Sequence, residues 1–181
     1  MKRVQKKSLN YQTQSTRIKT LIFLVKLLVL SLPILVIFNY DLYGLEKVIA
    51  DISSNSLNII GVENTVFDTL NSEAKISPAI YLSSNDLVLR IDSACTGIRS
   101  AYLLFAVLFS NPLKLKRQIV FLAIGLVLLF FVNITRIVSA AAIASTFGFY
   151  EVFDNVLWSV SLNATVALIL LVYFKNYSWN A

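Results

Sequence analysis

The sequence predicts an α-helical membrane protein, a bundle of about four transmembrane helices with a small outer segment. Of its 181 residues, 57% are hydrophobic and only 14% are charged, whereas soluble domains carry about 25% charged residues. The apolar residues collect in long runs, and Lys and Arg flank those runs. The net charge of +6 therefore indicates membrane topology and not a surface that binds nucleic acid.

The first apolar run, residues 20–38, is long enough for a hydrocarbon core of about 30 Å at about 1.5 Å per helical residue. The first run contains Lys26, which can extend to the near interface, and Pro33, which predicts a kink. A cleaved signal peptide is the alternative for this run, but no small-residue cleavage site follows it cleanly, so we prefer a retained anchor. The predicted transmembrane helices cover residues 20–38, 94–110, 119–147 and 156–174.

Charge fixes the predicted orientation. Residues 1–19 form a basic tail without an acid, and further Lys and Arg residues lie in the 113–118 loop and at Lys175. The positive-inside rule places these segments in the cytoplasm. All ten acidic residues then lie outside, in segments 39–94 and 150–155. We predict a multi-pass protein of the plasma or inner membrane with both termini cytoplasmic.

The outer segment, residues 39–93, predicts an amphipathic helix followed by a short β-hairpin. Gly61 is a plausible helix stop. The strands Ile80–Leu82 and Leu87–Ile91 flank the turn Ser83-Ser84-Asn85-Asp86. The helix is expected to lie on the bilayer surface, because apolar residues recur at helical spacing. These residues are Leu42, Leu45, Val48, Ile49, Ile52, Leu57 and Ile60.

The cysteine and histidine content limits the disulfides, general bases and metal ligands that the chain can provide. Cys95 is the single cysteine, so no intramolecular disulfide forms, and the chain contains no histidine. The usual general base at neutral pH and the commonest metal ligand are therefore missing. A zinc site is excluded on this composition, and we expect no metal and no cofactor.

Three polar residues converge on the outer side of this topology. Cys95 lies at the start of the second transmembrane helix, Arg136 in the outer half of the third, and Asp154 before the fourth. A cysteine nucleophile needs a lowered thiol pKa and donors for the oxyanion. A helix beginning at Cys95 and Arg99 at position i+4 would both favour the thiolate.

Each candidate also has a structural interpretation. Cys95 alone is usually an inert small hydrophobe, and Arg99 would then only extend to the headgroups. Arginine inside a span costs at least about 2.5–3.5 kcal/mol on insertion scales, a cost that a salt bridge from Arg136 to Asp154 or Glu151 would offset. Asp154 could equally be a solvated loop acid. Asn133, one turn before Arg136, could hydrogen-bond a neighbouring helix.

Two short motifs resemble those of a known family. The segment Ala94–Ser100, Ala-Cys-Thr-Gly-Ile-Arg-Ser, is followed one span later by Asn133–Ile137, Asn-Ile-Thr-Arg-Ile. Together and in this order they resemble the exosortase/archaeosortase family of membrane cysteine transpeptidases. The resemblance covers about residues 80–172, and either motif alone would be weak.

The resemblance implies roles for the motif residues. Cys95 would be the nucleophile, with Thr96 and Gly97 completing its motif. Arg136 would be the partner of the thiolate or oxyanion, and Asn133 opens the second motif. The family usually has a histidine before the next span, and Asp154 is the best match here. A free aspartate has a pKa far below that of a thiol, and an anion near the thiol opposes its ionisation.

The resemblance implies an enzyme with exported proteins as partners. Cys95 would attack a peptide bond near the C-terminal anchor of such a protein and pass the acyl group to an amine or to water. The substrate would carry a short sorting motif, a transmembrane helix in the lipid bilayer and a basic cytoplasmic end. The alternative is a non-catalytic exosortase-like scaffold or assembly factor that binds a partner transmembrane helix, which the missing histidine favours. A transporter or channel ranks last, because one Arg and one Asn make a poor conduction path.

Overall fold

A computed structural model describes residue 18 and residues 20–33, 42–70, 75–111, 114–147 and 151–178. For residues 94, 151–159 and 176–178 the structure describes the backbone alone. The described chain is mostly helical, with one small antiparallel sheet. Its elements in chain order are α1 (Thr20–Ser31), α2 (Tyr43–Ile59), β1 (Asn64–Leu70), β2 (Ile76–Leu82), β3 (Leu87–Arg90), a 3₁₀ helix (Ser93–Thr96), α3 (Ile98–Ser110), α4 (Leu115–Phe147) and α5 (Glu151–Ser178).

Within the described ranges, α4 alone is both long and apolar enough to cross a membrane. Its 33 residues extend about 50 Å at about 1.5 Å per residue, well beyond a hydrocarbon core of about 30 Å. The shorter apolar helices are α1, α3 and the Val160–Lys175 part of α5. The four-span bundle therefore stays a prediction, and residues 34–38 of its first span lie outside the described residues.

Large apolar side chains cover the outer surfaces of α1, α4 and α5. A water-soluble protein rarely exposes a contiguous apolar patch of this kind, whereas a lipid-facing surface consists of such residues. More than half of the side-chain surface is exposed at Leu21, Leu24, Val25, Leu28, Val29, Ile119, Ile124, Val127, Phe131, Val160, Leu168 and Leu171. These surfaces are what a bilayer would cover.

The inner core lies where α3, α4 and α5 pack together. Leu104, Leu129, Val166 and Tyr173 are buried there. Gly125 is buried at the closest approach, where an added Cβ would collide with the Leu104 side chain and contact Ile169. The absence of a side chain on α4 at this position lets the three helices pack closely.

The predicted β-hairpin is confirmed by the pairing of β2 with β3, in which Ile80 lies opposite Leu89. The sheet has a third strand, β1, that the sequence analysis did not predict; it pairs with β2, giving the order β1-β2-β3. Most of the side chains of β1 are exposed or polar, as at Asp68. The strand therefore lacks the apolar alternation by which strands are recognised.

The predicted amphipathic helix is α2, and Gly61, with φ of 81°, follows its end in the left-handed conformation. Its buried face contacts protein: Ile49 and Leu57 join the sheet and α4 in one core. Some apolar side chains of α2, among them Leu45 and Val48, are exposed and could contact a bilayer. The sheet and α4 cover part of the apolar face of this helix, and its place on the bilayer surface stays a prediction.

Asn85, in the β2–β3 turn, attaches the sheet to the end of α4. Its Nδ2 donates to the carbonyls of Ala144 and Ser145 at 2.8 and 2.9 Å. These carbonyls belong to the last turn of α4, where no intrahelical N–H can reach them. The sheet is thereby held beside the second half of α4, and the chain that leaves β3 continues along that helix.

Two polar clusters fix α2 along β1. Near the start of α2, the Tyr43 hydroxyl donates to Asp68 Oδ2 at 2.9 Å, and Lys47 Nζ lies 3.8 Å from the same oxygen. The hydrogen bond to Tyr43, and then the charge of Asp68, raises the pKa of Lys47. Near its end, Ser54 Oγ donates to Asn64 Oδ1 at 2.5 Å. α2 therefore runs antiparallel to β1.

Candidate active site

Cys95 lies in the 3₁₀ helix between β3 and α3. Its N–H contacts both the carbonyl and the side chain of Asp92, at 2.8 and 3.1 Å. The half-buried thiol is 3.9 Å from the carbonyl of Arg90, a long contact for a weak donor. Asp92 thus caps the turn that carries the thiol. The sequence analysis missed this role, although an aspartate three residues before a helical N–H is a typical cap.

Gly97 separates the cysteine turn from α3. Its φ of 71° is left-handed, a conformation that glycine adopts without steric cost. Thr96 Oγ1 donates to the carbonyl of Ser93 at 2.8 Å and accepts the N–H of Ile98 at 3.3 Å. Both motif residues therefore shape the chain immediately after Cys95.

This geometry corrects one expectation about Arg99. Cys95 does not open the transmembrane helix, because α3 begins at Ile98. The i+4 spacing that predicted Arg99 on the face of Cys95 requires one continuous helix, and the left-handed Gly97 interrupts it. Arg99 lies in the first turn of α3 with an exposed side chain.

Asn133 joins the two motifs. Its side chain is only 1% exposed, and its Nδ2 donates to the Cys95 carbonyl at 2.7 Å. A Cβ added to Gly97 would lie 3.5 Å from Asn133 Cγ, so the glycine also permits the close approach. Asn133 Oδ1 is buried and accepts no hydrogen bond from the described residues.

Arg136 follows Asn133 by one helical turn on α4 and is 4% exposed. It lines a cavity of about 280 Å³ between α4 and α5, together with Thr135, Ser139 and Ser161 among others. Along α4, Arg136 lies about 30 Å beyond Lys116 at about 1.5 Å per residue. This separation equals the thickness of an average hydrocarbon core.

Asp154 lies in α5, in the turn that follows Glu151, and not in a loop before the helix. Its side chain is among those outside the described part of the structure. The structure therefore brings Cys95, Gly97 and Asn133 into contact, with Arg136 one turn further along α4. The place of Asp154 in this group stays a prediction.

Glu46 was missed by the sequence analysis. Among the described side chains it is, with Arg136, one of two buried charged residues, at 5% exposed. It lies three and four residues before the buried Ile49 and Ala50 on α2. An acid at an apolar position of an amphipathic helix is a signal that the sequence did contain. Within the same described ranges, no group of three or more His, Cys, Asp or Glu residues could hold a metal ion.

Comparison with known proteins identifies the family. The model described as Transmembrane exosortase (Exosortase_EpsH) matches residues 13–173, which is most of the chain. The chain belongs to the transmembrane exosortase family. No curated protein and no solved structure matches it.

Membership in the exosortase family makes this chain a membrane protein of a family that processes sorting signals by cysteine chemistry. Within that family, the structure adds a physical link between the cysteine turn and the helix that carries the arginine. The thiol of Cys95 is half-buried, and Asp92 caps the turn that carries it. The buried Arg136 lies one helical turn beyond Asn133, which binds the Cys95 carbonyl. A cation close to a cysteine favours the thiolate that nucleophilic cysteine catalysis uses.

Proposed function

We propose that this exosortase is a membrane-embedded cysteine peptidase or transpeptidase. It cleaves the C-terminal sorting signals of exported proteins on the outer side of the membrane and transfers the product to an amine acceptor or to water. The observation that carries the proposal is the bond from Asn133 to the Cys95 carbonyl. This bond ties the nucleophile motif to the arginine motif of the family.

The proposed reaction begins with the thiolate of Cys95. Its sulfur attacks the substrate carbonyl carbon, and Arg136 stabilises the charge that develops on the carbonyl oxygen. The C–N bond breaks, the amine leaves with a proton, and a thioester remains on Cys95. An acceptor amine or water then attacks the thioester and regenerates the thiol. Asp154, at the position of the family histidine, is proposed to orient Arg136.

The proposed topology is the four-span arrangement with both termini in the cytoplasm of the plasma or inner membrane. The exposed apolar surfaces of α1, α4 and α5 support it. The depth of Arg136 supports an outer site, because about 30 Å of helix separates it from the basic end of α4. Peptide-bond chemistry would then occur at the edge of the hydrocarbon.

The cavity at Arg136 supports lateral access for a membrane-anchored substrate. Phe131 and Val132 form its apolar part, whereas Thr135, Ser139 and Ser161 supply hydroxyl groups. An anchor helix beside α4 and α5 would meet the apolar part within the lipid. The chain just beyond the anchor would then pass the hydroxyl groups near Arg136. Exported proteins with such an anchor are the proposed partners.

The deciding experiment is replacement of the nucleophile. Cys95→Ala and Cys95→Ser are compared with wild type for processing of a co-expressed exported protein that has a C-terminal anchor and basic end. Both variants should leave the precursor uncleaved. Ser93→Ala, in the same turn, is the matched control and should process normally. Unchanged cleavage by Cys95→Ala would contradict an enzymatic role.

A second candidate function is a scaffold that holds a partner transmembrane helix without cleaving it. The complete absence of histidine favours it, because the family's usual proton carrier is missing. A scaffold would still form a complex with its partner as the Cys95→Ala variant. It would lose that complex when the cavity is filled by Ser139→Phe. Because the enzyme would use the same cavity, Cys95→Ala is the variant that separates the candidates: an enzyme loses its function in that variant, whereas a scaffold keeps it.

A further inference from the structure

Glu46 and Arg136 are the two buried charged side chains of the described ranges, at 5% and 4% exposed. Burial of a charged group is expensive, and such groups occur where they pair or perform chemistry. Arg136 belongs to the second motif, whereas Glu46 belongs to neither motif. Its position in the fold therefore needs its own explanation.

Hydrogen bonds to β1 fix where each end of α2 lies along the length of the strands. The Ser54 end lies beside Asn64, and the Tyr43 end lies beside Asp68. Asp68 pairs with Pro78 across the sheet. The first turns of α2 are thus at the level of Pro78, at the end of the sheet away from the β2–β3 turn.

The chain passes from the Pro78 end of the sheet directly into the cysteine turn. The Pro78 carbonyl accepts the N–H of Ile91 at 2.9 Å, and Ile91 immediately precedes Asp92, the cap of that turn. α2 packs against the 3₁₀ helix as well as against β2 and α4. Since the Ser54 end lies at the opposite level, the first half of α2 makes this contact.

Glu46 lies in the middle of the face that makes these contacts. At about 100° per residue, it projects between the directions of Ile49 and Ala50, both of which are buried in the core that Cys95 packs against. Lys47, about 100° around the helix, instead faces Asp68. The charged groups around this region are Arg136 on α4, Asp92 in the cysteine turn, and the Lys47–Asp68 pair on the sheet side.

We propose that Glu46 is the proton-carrying carboxylate of the Cys95 site, in a chain that has no histidine. The inference rests on the proposed cysteine chemistry. The thiol proton of Cys95 passes to the Glu46 carboxylate, and the sulfur forms its bond to the substrate carbonyl carbon. When the C–N bond breaks, the same proton passes from Glu46 to the leaving nitrogen. As the thioester opens, the attacking amine or water gives a proton to Glu46 and the sulfur leaves as a thiolate. Glu46 then returns this proton to the sulfur, so the thiol and the carboxylate are both restored without another reactant.

The test uses the full-length protein in membranes and the processing of an anchored precursor. Glu46→Gln preserves size and removes the proton-carrying group, so turnover should fall about 100-fold or more, the range typical of acid–base groups. Cys95 should remain accessible to a maleimide in this variant. Asp51→Asn, on the exposed face of the same helix, is the matched control and should retain wild-type turnover.

The pH profile distinguishes proton transfer from a structural role. Glu46→Asp keeps a carboxyl group at a shorter reach and should retain activity with a displaced acidic limb. Turnover by Glu46→Gln within about twofold of wild type, with an unchanged profile, would overturn the proposal. If Glu46→Gln does not accumulate as folded protein, Glu46→Asp decides, and a profile identical to wild type overturns the proposal. Cleavage by Cys95→Ala would instead refute the proposed function itself.

Discussion

The side-chain amide of Asn133 donates a hydrogen bond to the backbone carbonyl of Cys95 at 2.7 Å. The asparagine is on α4, 38 residues further along the chain, and Arg136 follows it by one turn. The hydrogen bond sets the position of the thiol along α4 and therefore relative to the guanidinium. The cysteine turn is thus attached to α4 three residues before Arg136.

Asn133→Asp replaces the donor at Cys95 by a carboxylate oxygen. The two oxygens repel each other, so the cysteine turn should shift away from α4. We expect processing of an anchored precursor to fall about 100-fold, the effect of a displacement near 1 Å. The maleimide labelling rate of Cys95 should change as well. Asn55→Asp, exposed on α2, is the control, and equal processing by both variants would show that the bond has no role.

Gly97→Ala should destabilise the protein by about 1–2 kcal/mol, because a side chain disfavours the left-handed backbone. The new Cβ would also lie 3.5 Å from Asn133 Cγ. Thermal unfolding in detergent measures the effect. Gly44→Ala is the matched substitution in α2, with nothing within 4 Å of its Cβ, and should be neutral or stabilising by up to about 1 kcal/mol. Equal midpoints for the two variants would refute the argument.

Asn85→Ala removes the two hydrogen bonds to the end of α4. The carbonyls of Ala144 and Ser145 lose their donors, at a cost of about 1–3 kcal/mol. Amide hydrogen exchange should accelerate in the last turn of α4 and in the β2–β3 hairpin. Exchange in the inner half of α4 should not change. Asn55→Ala is the control, and unaltered exchange in both regions would exclude the proposed attachment.

Alkaline pH should weaken the β2–β3 hairpin through Tyr81. Its hydroxyl donates to Asp86 Oδ1, and this bond, followed by the charge of Asp86, raises the pKa of Tyr81 above its ordinary value of 10.0. The neutral hydroxyl is favoured in the folded state. Its contribution is therefore complete below pH 10.0 and is lost as the pH rises through the higher folded-state pKa.

Thermal midpoints of wild type and Tyr81→Phe at about pH 8 and above about pH 11 provide the measurement. Wild type should have the higher midpoint at the lower pH, and the difference should shrink at the higher pH. Lys47 also titrates in this range, but it is present in both proteins and cancels from the difference. A difference that does not vary with pH would contradict the assignment.

Local chemistry explains which features the sequence could predict. The turn Ser83-Ser84-Asn85-Asp86 carries its own turn signals, so the hairpin was predictable, and Gly61 marked the end of α2. The start of α3 was not predictable from hydrophobicity, because Ala94 and Cys95 are apolar although Gly97 ends their helical turn. A run of apolar residues indicates that a segment is buried. The residue at which a helix begins depends instead on the backbone conformation at its end.

The candidate site was predictable only where its residues form short motifs. Cys95, Asn133 and Arg136 were identified by their neighbours in sequence. Glu46 belongs to no motif, and its burial depends on contacts with the sheet and α4 that are distant in the chain. Strand β1, which fixes α2 at both ends, is half polar and gave no clear alternation. The helical pattern marked the position of Glu46 as unusual, but the burial of Glu46 and the pairing of β1 depend on tertiary contacts that no local pattern shows.

The length of α4 makes the protein sensitive to the lipid around it. The distance from Lys116 to Arg136, about 30 Å, equals the hydrocarbon thickness of an average bilayer. In a thicker membrane, hydrophobic matching would draw the guanidinium into the acyl chains or straighten α4 toward the membrane normal. In a thinner membrane, α4 would tilt, and Asn133 would carry the cysteine turn with it. The lipid composition of the host membrane would thus help to set the height of Cys95 relative to the bilayer surface.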